Sequence, residues 1–401
     1  MANSALSYDI VIAGGGLSGL LTAVALSHQT NFARIAIIES NDLSTASNVS
    51  FDDRVIALSH GSVDYIKQLG VWHQMSADAT AIEHIHISDR GNYGKARIAA
   101  NDHNVDALGH VVPLSSIANT LLQKAKTFST IDWLSPNSIA KIEFLAERVE
   151  LVLDNTQQIN TKLLVACDGG QSMCRKAAGI ANTSRDYQQS AVIANVTTQN
   201  PHNNVAYERF TEQGPIAMLP MTGNQCSLVW TVNHDNAEII KTLNEQAFCQ
   251  ALEEAFGRYL GAIEGTTKRS VFPLKLVQAE RQTFHRLALV GNASHAIHPI
   301  AGQGFNLGIR DIKELVQLLS EGNKDTQKEE RSFDPGRGKV LNQYQQCRGQ
   351  DQQEIITLTD SMVTLFSNEL PPLVAGRNVG VKVMNYCRAL QQAFVNKTMG
   401  Y

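Results

Sequence analysis

A glycine-rich turn between two apolar segments near the amino terminus most constrains how this chain can fold. A predicted strand, a helix and a second strand cover residues 8–13, 20–28 and 34–39. The turn carries Gly14, Gly16 and Gly19 in the spacing GxGxxG. The first glycine permits the tight turn, the second lets a pyrophosphate approach, and the third lets helix and strand pack closely. The pattern therefore predicts a dinucleotide site, with Glu39 placed to bind ribose hydroxyls.

The longest apolar stretch, residues 10–26, coincides with this turn. Glycines interrupt the stretch, and residues 1–8 contain no Lys or Arg. It therefore predicts neither a membrane span nor a secretory signal peptide. The fingerprint alone leaves NAD and FAD open as ligands, and a glycine turn used only for packing is the other alternative.

The charge and the cysteine content exclude several classes of protein. The 401 residues include 34 Lys and Arg and 38 Asp and Glu, a net charge of −4, so no basic excess indicates a nucleic-acid partner. The six cysteines form no CxxC pair, which predicts reduced thiols in the cytoplasm rather than a disulfide scaffold or a zinc ribbon. The pairs His84/His86 and His295/His298 lack further ligands nearby, so we expect no metal site.

Strand and helix patterns predict an α/β domain that is interrupted by a β-rich insertion. Short apolar strands with Gly and Asn turns between residues 189 and 232 indicate an antiparallel sheet. Residues 321–339 are polar and contain Pro335, which predicts an exposed linker, and residues 340–401 are mostly helical in pattern. The predicted Rossmann-like domain is discontinuous and consists of residues 1–180 and 280–330. The β-rich substrate domain is predicted at residues 181–279, and the C-terminal helical region at residues 340–401.

Two further motifs follow predicted strands. Residues 168–175 have the pattern DGxxSxxR, which can line a phosphate path or form an ordinary capped helix start. Residues 291–311 read GNASHAIHPIAGQGFNLGIRD and lead into a helix that begins near Gly304. Glycines there permit close backbone approach, and the helix start offers N–H donors to the electron-rich edge of a ring.

In this order and spacing, GxGxxG, DGxxSxxR and GNAxHxxxPxxGQGxNxGxxD resemble the motifs of the group A flavoprotein aromatic hydroxylases, single-component FAD enzymes with the hydroxybenzoate-hydroxylase architecture. FDDRVIAL, HISDRG, YERFTEQGPIAMLPM, CSLVW and TDSMVTLF are similar to the ubiquinone-biosynthesis hydroxylases, in particular those that act on 6-methoxyphenols. The resemblance implies FAD, NADPH or NADH as reductant, and O2, which adds at flavin C4a to give a hydroperoxide. The implied reaction converts a 2-polyprenyl-6-methoxyphenol to the 1,4-benzoquinol.

The resemblance also implies roles for individual residues. The cofactor-binding positions are Gly14, Gly16, Gly19, Glu39, Arg54, Asp168, Asn292, Gly302, Gly304 and Asn306, with Arg175 as a further candidate. The catalytic positions, at the isoalloxazine, are Pro299 and Gln303. Contacts to the substrate ring or tail are expected from Met218, Pro220 and Trp230, with Phe210, Pro215 and Leu219 as further candidates, although alternate residues of these strands must belong to the core.

Asn292 departs from the pattern of the wider family, which has Asp at this position. Asn keeps a carbonyl acceptor but loses the charge, and the 6-methoxyphenol branch shares it. The open alternatives are another hydroxylase of the same pathway, a halogenase or prenyl reductase of this fold, and an FAD-binding assembly subunit without turnover. The halogenase is disfavoured because Trp72, Trp133 and Trp230 are too far apart for a WxWxI signature.

A polyprenyl substrate implies contact with a membrane surface or with a protein partner. Residues 373–390 mix basic and apolar side chains, which fits either a peripheral membrane contact or packing on the main body. The expected localisation is cytoplasmic, with the inner face of the cytoplasmic membrane as a peripheral site. A complex of ubiquinone-biosynthesis proteins and an oligomer are both compatible with the chain.

Overall fold

The computed structural model describes residues 5–43, 54–91, 94–299, 302–328, 333–366, 392, 395 and 397–400. The strands are β1 Leu6–Ala13, β2 Ile35–Ile38, β3 Val55–Ser59, β4 Thr80–Ile82, β5 His84–Asp89, β6 Lys95–Ala99, β7 Gly109–Pro113, β8 Ile131–Leu134, β9 Ile139–Phe144, β10 Val149–Leu153, β11 Gln158–Ala166, β12 Asn182–Thr198, β13 Val205–Thr211, β14 Gly214–Pro220, β15 Gln225–Asn233, β16 Ile263–Thr266, β17 Ser270–Ala279, β18 Thr283–Phe284, β19 Leu287–Leu289 and β20 His295–Ala296. The helices are α1 Leu17–Gln29, α2 His60–Gln68, α3 Trp72–Met75, α4 Leu114–Lys126, α5 Met173–Ala177, α6 His234–Thr242, α7 Glu245–Phe256, α8 Gln303–Lys328 and α9 Gly338–Phe366.

The first sheet is built on parallel strands in the order β19–β11–β1–β2–β8, with β18, β10 and β9 added antiparallel. Strands that are buried on both faces are continuously apolar, and β1 is such a strand. Ile10 and Ile12 pack with residues of α1, α4 and α8, whereas Val11 and Ala13 face the core beside β9 and β10. The carboxyl ends of β1, β11 and β19 lie side by side, so the three loops that follow them meet.

The second sheet has nine strands, in the order β20–β17–β12–β15–β14–β13–β5–β6 with β16 paired to β12. Only β13 and β5 run parallel among these described pairs. One face packs on α6 and α7. β5 and β6 belong to the second sheet although they lie before residue 180, so the predicted boundary at residue 180 does not separate the two sheets. The domain limits stay a prediction. In a small sheet, β3–β7–β4, Leu58 and Val112 pack in the core of the first sheet, and Ile82 and Val111 pack with residues of β5, β6 and β13.

The predicted α/β class and the helical C-terminal region are confirmed by the parallel sheet and by α9. The predicted linker at residues 321–339 is wrong at its beginning, because α8 continues to Lys328. Glu321 at the start of this stretch is an exposed residue of the helix, as charged residues of an amphipathic helix commonly are. Residues 373–390 lie outside the described residues. Across the described helices, none is both long and apolar enough to cross a bilayer.

Candidate functional site: a cofactor cavity and an apolar pocket

A cavity of about 650 Å³ lies between the two sheets, where the loops after β1, β11 and β19 face the second sheet. The loops contribute Gly16, Gly169, Asn292 and Pro299, α1 contributes Ser18, and α8 contributes Gly304 from its first turn. The opposite wall consists of apolar side chains of the second sheet, namely Ala191, Ile193, Ala217, Leu219, Val229, Phe272 and Leu274. The three sequence motifs are thus brought to one cavity.

The glycines of the first motif have the geometry that a bound dinucleotide requires. Gly14 has φ +99°, and a Cβ there would lie 2.5 Å from the Cys167 carbonyl oxygen. A Cβ on Gly19 would lie 1.8 Å from the Gly14 carbonyl oxygen. By contrast, a Cβ on Gly16 would meet no atom within 4 Å, because Gly16 faces the cavity. Two glycines therefore close the turn, and the third leaves open space where the pyrophosphate is expected.

Glu39 lies at the end of β2 and is held against the same turn. Its Oε2 accepts a hydrogen bond of 2.7 Å from the Gly15 N–H, and its Oε1 accepts one of 2.9 Å from the Asn41 N–H. The carboxylate is therefore fixed beside the predicted ribose position.

The second motif positions one acid and ties two loops together. Asp168 Oδ2 accepts the Cys174 N–H at 3.0 Å, whereas its buried Oδ1 has no hydrogen-bond partner among the described residues. Arg175 is buried and donates to the carbonyls of Ala293 at 2.7 Å and Gly170 at 2.9 Å. Arg175 thus joins the loop after β11 to the loop after β19, so its contacts are to backbone rather than to the cavity.

Asp311 of α8 is the centre of a buried network beneath the third motif. Its Oδ2 accepts from His295 Nε2 at 2.8 Å and from the Gly291 N–H at 3.1 Å. Its Oδ1 accepts from Arg348 Nε at 2.8 Å and from Gln352 Nε2 at 2.9 Å. Burial alone would raise the pKa of Asp311, but attraction by His295 and Arg348 lowers it to about 2. The network fixes the loop that presents Asn292, which is exposed to the cavity.

The start of α8 is clamped to β3. Asn306 Nδ2 donates to the carbonyls of Ala57 and Gly302, each at 2.8 Å, and its Oδ1 accepts the Ser59 N–H at 2.9 Å. Asn306 is therefore occupied by backbone contacts. Gln303, the other polar residue of this turn, is buried and donates to the Thr398 carbonyl at 3.2 Å.

Arg54, the cation predicted near the flavin, also lines the cavity. Its guanidinium carbon lies 5.0 Å from the centre of the Phe272 ring on β17. This contact spans from the segment before β3 to the second sheet, and it leaves a positive charge beside the cofactor cavity.

A second, smaller pocket of about 100 Å³ adjoins the cavity. Ala57, Leu219 and Glu208 line both spaces. The other lining residues of the pocket are mostly apolar and include Ile82, Ile85, Ile87, Ile98, Leu108, Met362, Val395 and Met399. The pocket is suited to an apolar ligand whose polar end points toward the cavity.

Met218 and Trp230, two predicted substrate contacts, are buried on the face of the second sheet that packs on α6 and α7, and they line neither space. Pro220, Phe210 and Pro215 are not among the described lining residues either, although Phe210 belongs to the apolar core beside the pocket. Leu219, a further candidate in the sequence, lines both. Successive side chains of a strand point to opposite faces of the sheet. A prediction that is wrong by one residue therefore places the contact on the wrong face.

The histidine pairs do not form a metal site among the described residues. His84 is exposed, whereas His86 is buried beside Tyr207 and Tyr259. His298 is buried against Tyr187, and burial lowers its pKa to about 4.

Sequence reasoning missed two residues of the site. Arg348 lies 37 residues beyond Asp311, on α9, and no local motif indicates it. Glu208 lies within YERFTEQGPIAMLPM, but nothing in that string shows that the side chain faces a cavity.

The described residues fit FAD. Gly16 provides an open backbone approach, Asp168 offers a buried oxygen with no partner among the described residues, and Glu39 is hydrogen-bonded to the turn where the sequence predicts the ribose. The cavity has room for a large ligand, and its far wall is apolar enough to cover a flat ring.

Comparison with known proteins agrees with this geometry. Residues 7–335 match the family described as FAD binding domain. Ubiquinone hydroxylase UbiL of Rhodospirillum rubrum is 30% identical over 397 residues, which cover 98% of this chain and 89% of that protein. The human mitochondrial ubiquinone biosynthesis monooxygenase COQ6 is 29% identical over 444 residues, covering 97% and 92%. The crystal structure of p-nitrophenol 4-monooxygenase PnpA from Pseudomonas putida superposes with a TM-score of 0.78 at 18% identity, covering 98% and 99%, which shows a shared fold.

The fold and the glycine turn together define an FAD-binding protein. The chain belongs to the FAD binding domain family, and it is an FAD-dependent aromatic hydroxylase.

Proposed function

We propose that this protein hydroxylates a polyprenylated phenol in ubiquinone biosynthesis, converting a 2-polyprenyl-6-methoxyphenol to the 1,4-benzoquinol with NADPH or NADH and O2. The observation that carries the proposal is the apolar pocket that shares a wall with the cofactor cavity. The names of the two relatives, a ubiquinone hydroxylase and a ubiquinone biosynthesis monooxygenase, support the pathway. The substituents of the phenol come from the sequence resemblance.

The chain's own residues have three tasks in this reaction. Gly14, Gly16 and Gly19 hold the pyrophosphate half of FAD, with Glu39 at the ribose. The loop at Asn292 and Pro299 and the first turn of α8 hold the ring half. When bound, FAD supplies the reduction and the activation of O2. The apolar wall of the second sheet keeps water from the reacting centre, which suppresses side reactions.

No ionised side chain of the described lining of the small pocket is positioned to pair with an anionic substrate. The described lining of the pocket contains no Lys or Arg. Aromatic acids would therefore bury an unpaired carboxylate, which is strongly unfavourable. A neutral phenol with an apolar substituent is the better match.

The test uses purified, FAD-loaded protein with a 2-methoxyphenol that carries one isoprene unit at position 6. We expect NADPH or NADH oxidation that depends on the phenol, together with the hydroxylated product by mass spectrometry. In cells, deletion of the gene should lead to accumulation of the 6-methoxyphenol precursor. Accumulation of a different quinone precursor would instead assign another hydroxylation of the same pathway, and FAD binding without any turnover would indicate an assembly subunit.

A further inference from the structure

Glu208 lies between the cofactor cavity and the apolar pocket, which are called the two spaces below. It lies on β13, where the backbone is in register with Ala217 of β14 and Ile87 of β5. Of the three residues that line both the cavity and the apolar pocket, Ala57 and Leu219 are apolar, and Glu208 alone carries a polar side chain. A ligand that fills the pocket and reaches toward the cofactor must therefore pass this carboxyl group.

The Glu208 carboxyl group has no hydrogen bond and no ion pair among the described residues, and burial raises its pKa to about 8. Glu208 is partly accessible and lines both spaces. Arg209, the next residue, is directed elsewhere and donates to the Tyr259 hydroxyl at 3.2 Å.

Few other titratable side chains face these spaces. The described lining of the pocket adds Tyr207 from β13, and that of the cavity adds Arg54 and Cys167. Burial raises the pKa of both Tyr207 and Cys167, so these two groups stay neutral at physiological pH. The lining residues from β5, β14, α8 and α9 carry no titratable group. Glu208 is thus the one proton acceptor of this described lining that changes charge near pH 8.

A buried carboxyl group without a partner costs free energy unless a ligand satisfies it. A phenol hydroxyl is a suitable ligand group, because it donates a hydrogen bond. A phenol ionises near pH ~10 and an ordinary glutamic acid near ~4.3, a gap of about six units. With the pKa of Glu208 at about 8, the gap shrinks to about two units, so proton transfer from the phenol becomes much less unfavourable.

We propose that Glu208 binds the phenol hydroxyl of the substrate and takes its proton. The phenol O–H bond breaks, the proton goes to a carboxylate oxygen of Glu208, and the electron pair stays on the phenolate oxygen. The phenolate ring is more electron-rich and reacts more readily with an electrophilic oxygen. This inference rests on the proposed function, because it assumes a phenol in the apolar pocket.

The test compares the wild type with Glu208→Gln, which preserves shape and removes the ionisable group. Glu212→Gln is the matched control, because Glu212 is exposed and lies beyond the end of β13. All three proteins are loaded with FAD, and their FAD content confirms that they are folded. The probe is 2-methoxy-6-prenylphenol, and its Kd and the kcat of its hydroxylation are measured from about pH 6 to pH 9, below the ionisation of the free phenol near ~10.

In the wild type and in Glu212→Gln, we expect probe binding to tighten and kcat to rise as the pH passes about 8, because Glu208 accepts the phenol proton only in its ionised form. In Glu208→Gln this pH dependence should disappear, and kcat should fall roughly 100-fold or more, the usual range for loss of a general base, with a smaller change in KM. An unchanged kcat and an unchanged pH profile in Glu208→Gln would overturn the proposal. If the wild type binds the probe but makes no hydroxylated product, the proposed function fails, while the pH dependence of probe binding still decides the role of Glu208.

Discussion

Replacement of Asp311 by Asn removes the charge at the centre of the network beneath the cofactor loop. The Asp311 carboxylate is fully buried and accepts four hydrogen bonds, from His295, the Gly291 N–H, Arg348 and Gln352. An Asn amide group keeps one acceptor oxygen and turns an N–H group toward a donor. Arg348 would retain only its contact to Asp351 at 2.7 Å. The substitution therefore separates α9 from the loop that presents Asn292.

Removal of one member of a buried ion pair costs ~3–5 kcal/mol, because the remaining charge loses its partner. The pKa of Asp311 supports a similar magnitude. Its value of about 2 lies roughly two units below the ~3.9 of an unfolded aspartate, and each unit corresponds to ~1.4 kcal/mol. The folded state therefore gains about 2–3 kcal/mol from this carboxylate above pH ~4 and loses it as the pH falls toward ~2.

The assay is urea denaturation of the FAD-free and FAD-loaded proteins, followed by tryptophan and flavin fluorescence. Asp132→Asn is the matched control, because Asp132 forms an exposed pair with Arg34 at 3.2 Å, and such pairs contribute ~0–1 kcal/mol. We expect a loss of ~3–5 kcal/mol for Asp311→Asn, weaker FAD retention, and less loss of stability on acidification than in the wild type. Equal stability of the two variants would refute this reasoning.

Three further predictions concern the cofactor turn and the second sheet. Gly19→Ala should abolish FAD retention, because its Cβ would lie 1.8 Å from a backbone oxygen, whereas Gly349→Ala, with 3.4 Å to its nearest neighbour, should retain FAD; equilibrium dialysis measures both. Glu39→Gln should weaken FAD binding by about 10-fold, from one charged hydrogen bond of ~1.5 kcal/mol, as measured by flavin fluorescence titration; an unchanged affinity would contradict the role of this acid. Leu219→Ala should raise KM for the prenylphenol with little change in stability. Met218→Ala should lower the free energy of unfolding by ~2–5 kcal/mol and leave KM unchanged. The reverse result would show that the substrate contacts the face of the sheet that carries Met218.

Local patterns predicted the elements that local sequence determines. The first strand, helix and second strand are apolar and periodic, so their boundaries agree with the structure within a few residues. β12, by contrast, is much longer than its apolar part, residues 191–196, because its polar first half pairs with β17 across the sheet. The pairing of β5 with β13 joins residues as far apart as His84 and Val205. No local signal contains such a partner, so the composition of the second sheet was not predictable.

The site was predictable where its chemistry resides in backbone and glycines. Gly14 and Gly19 are required by close contacts that a motif encodes directly. Side-chain facing was not predictable, because one-residue alternation separates Met218 in the core from Leu219 in the cavity. Glu208 belongs to no recognisable motif, and its proposed role follows only from the cavity and the pocket that it lines.

The most direct test of the central claim, that this chain hydroxylates a phenol held beside FAD, is product analysis under ¹⁸O2. Purified FAD-loaded protein is incubated with 2-methoxy-6-prenylphenol and NADPH or NADH, and the product is examined by mass spectrometry. We predict a benzoquinol in which the new hydroxyl carries one ¹⁸O atom. Reductant oxidation with unchanged phenol, or a product whose new oxygen comes from water, would contradict the claim.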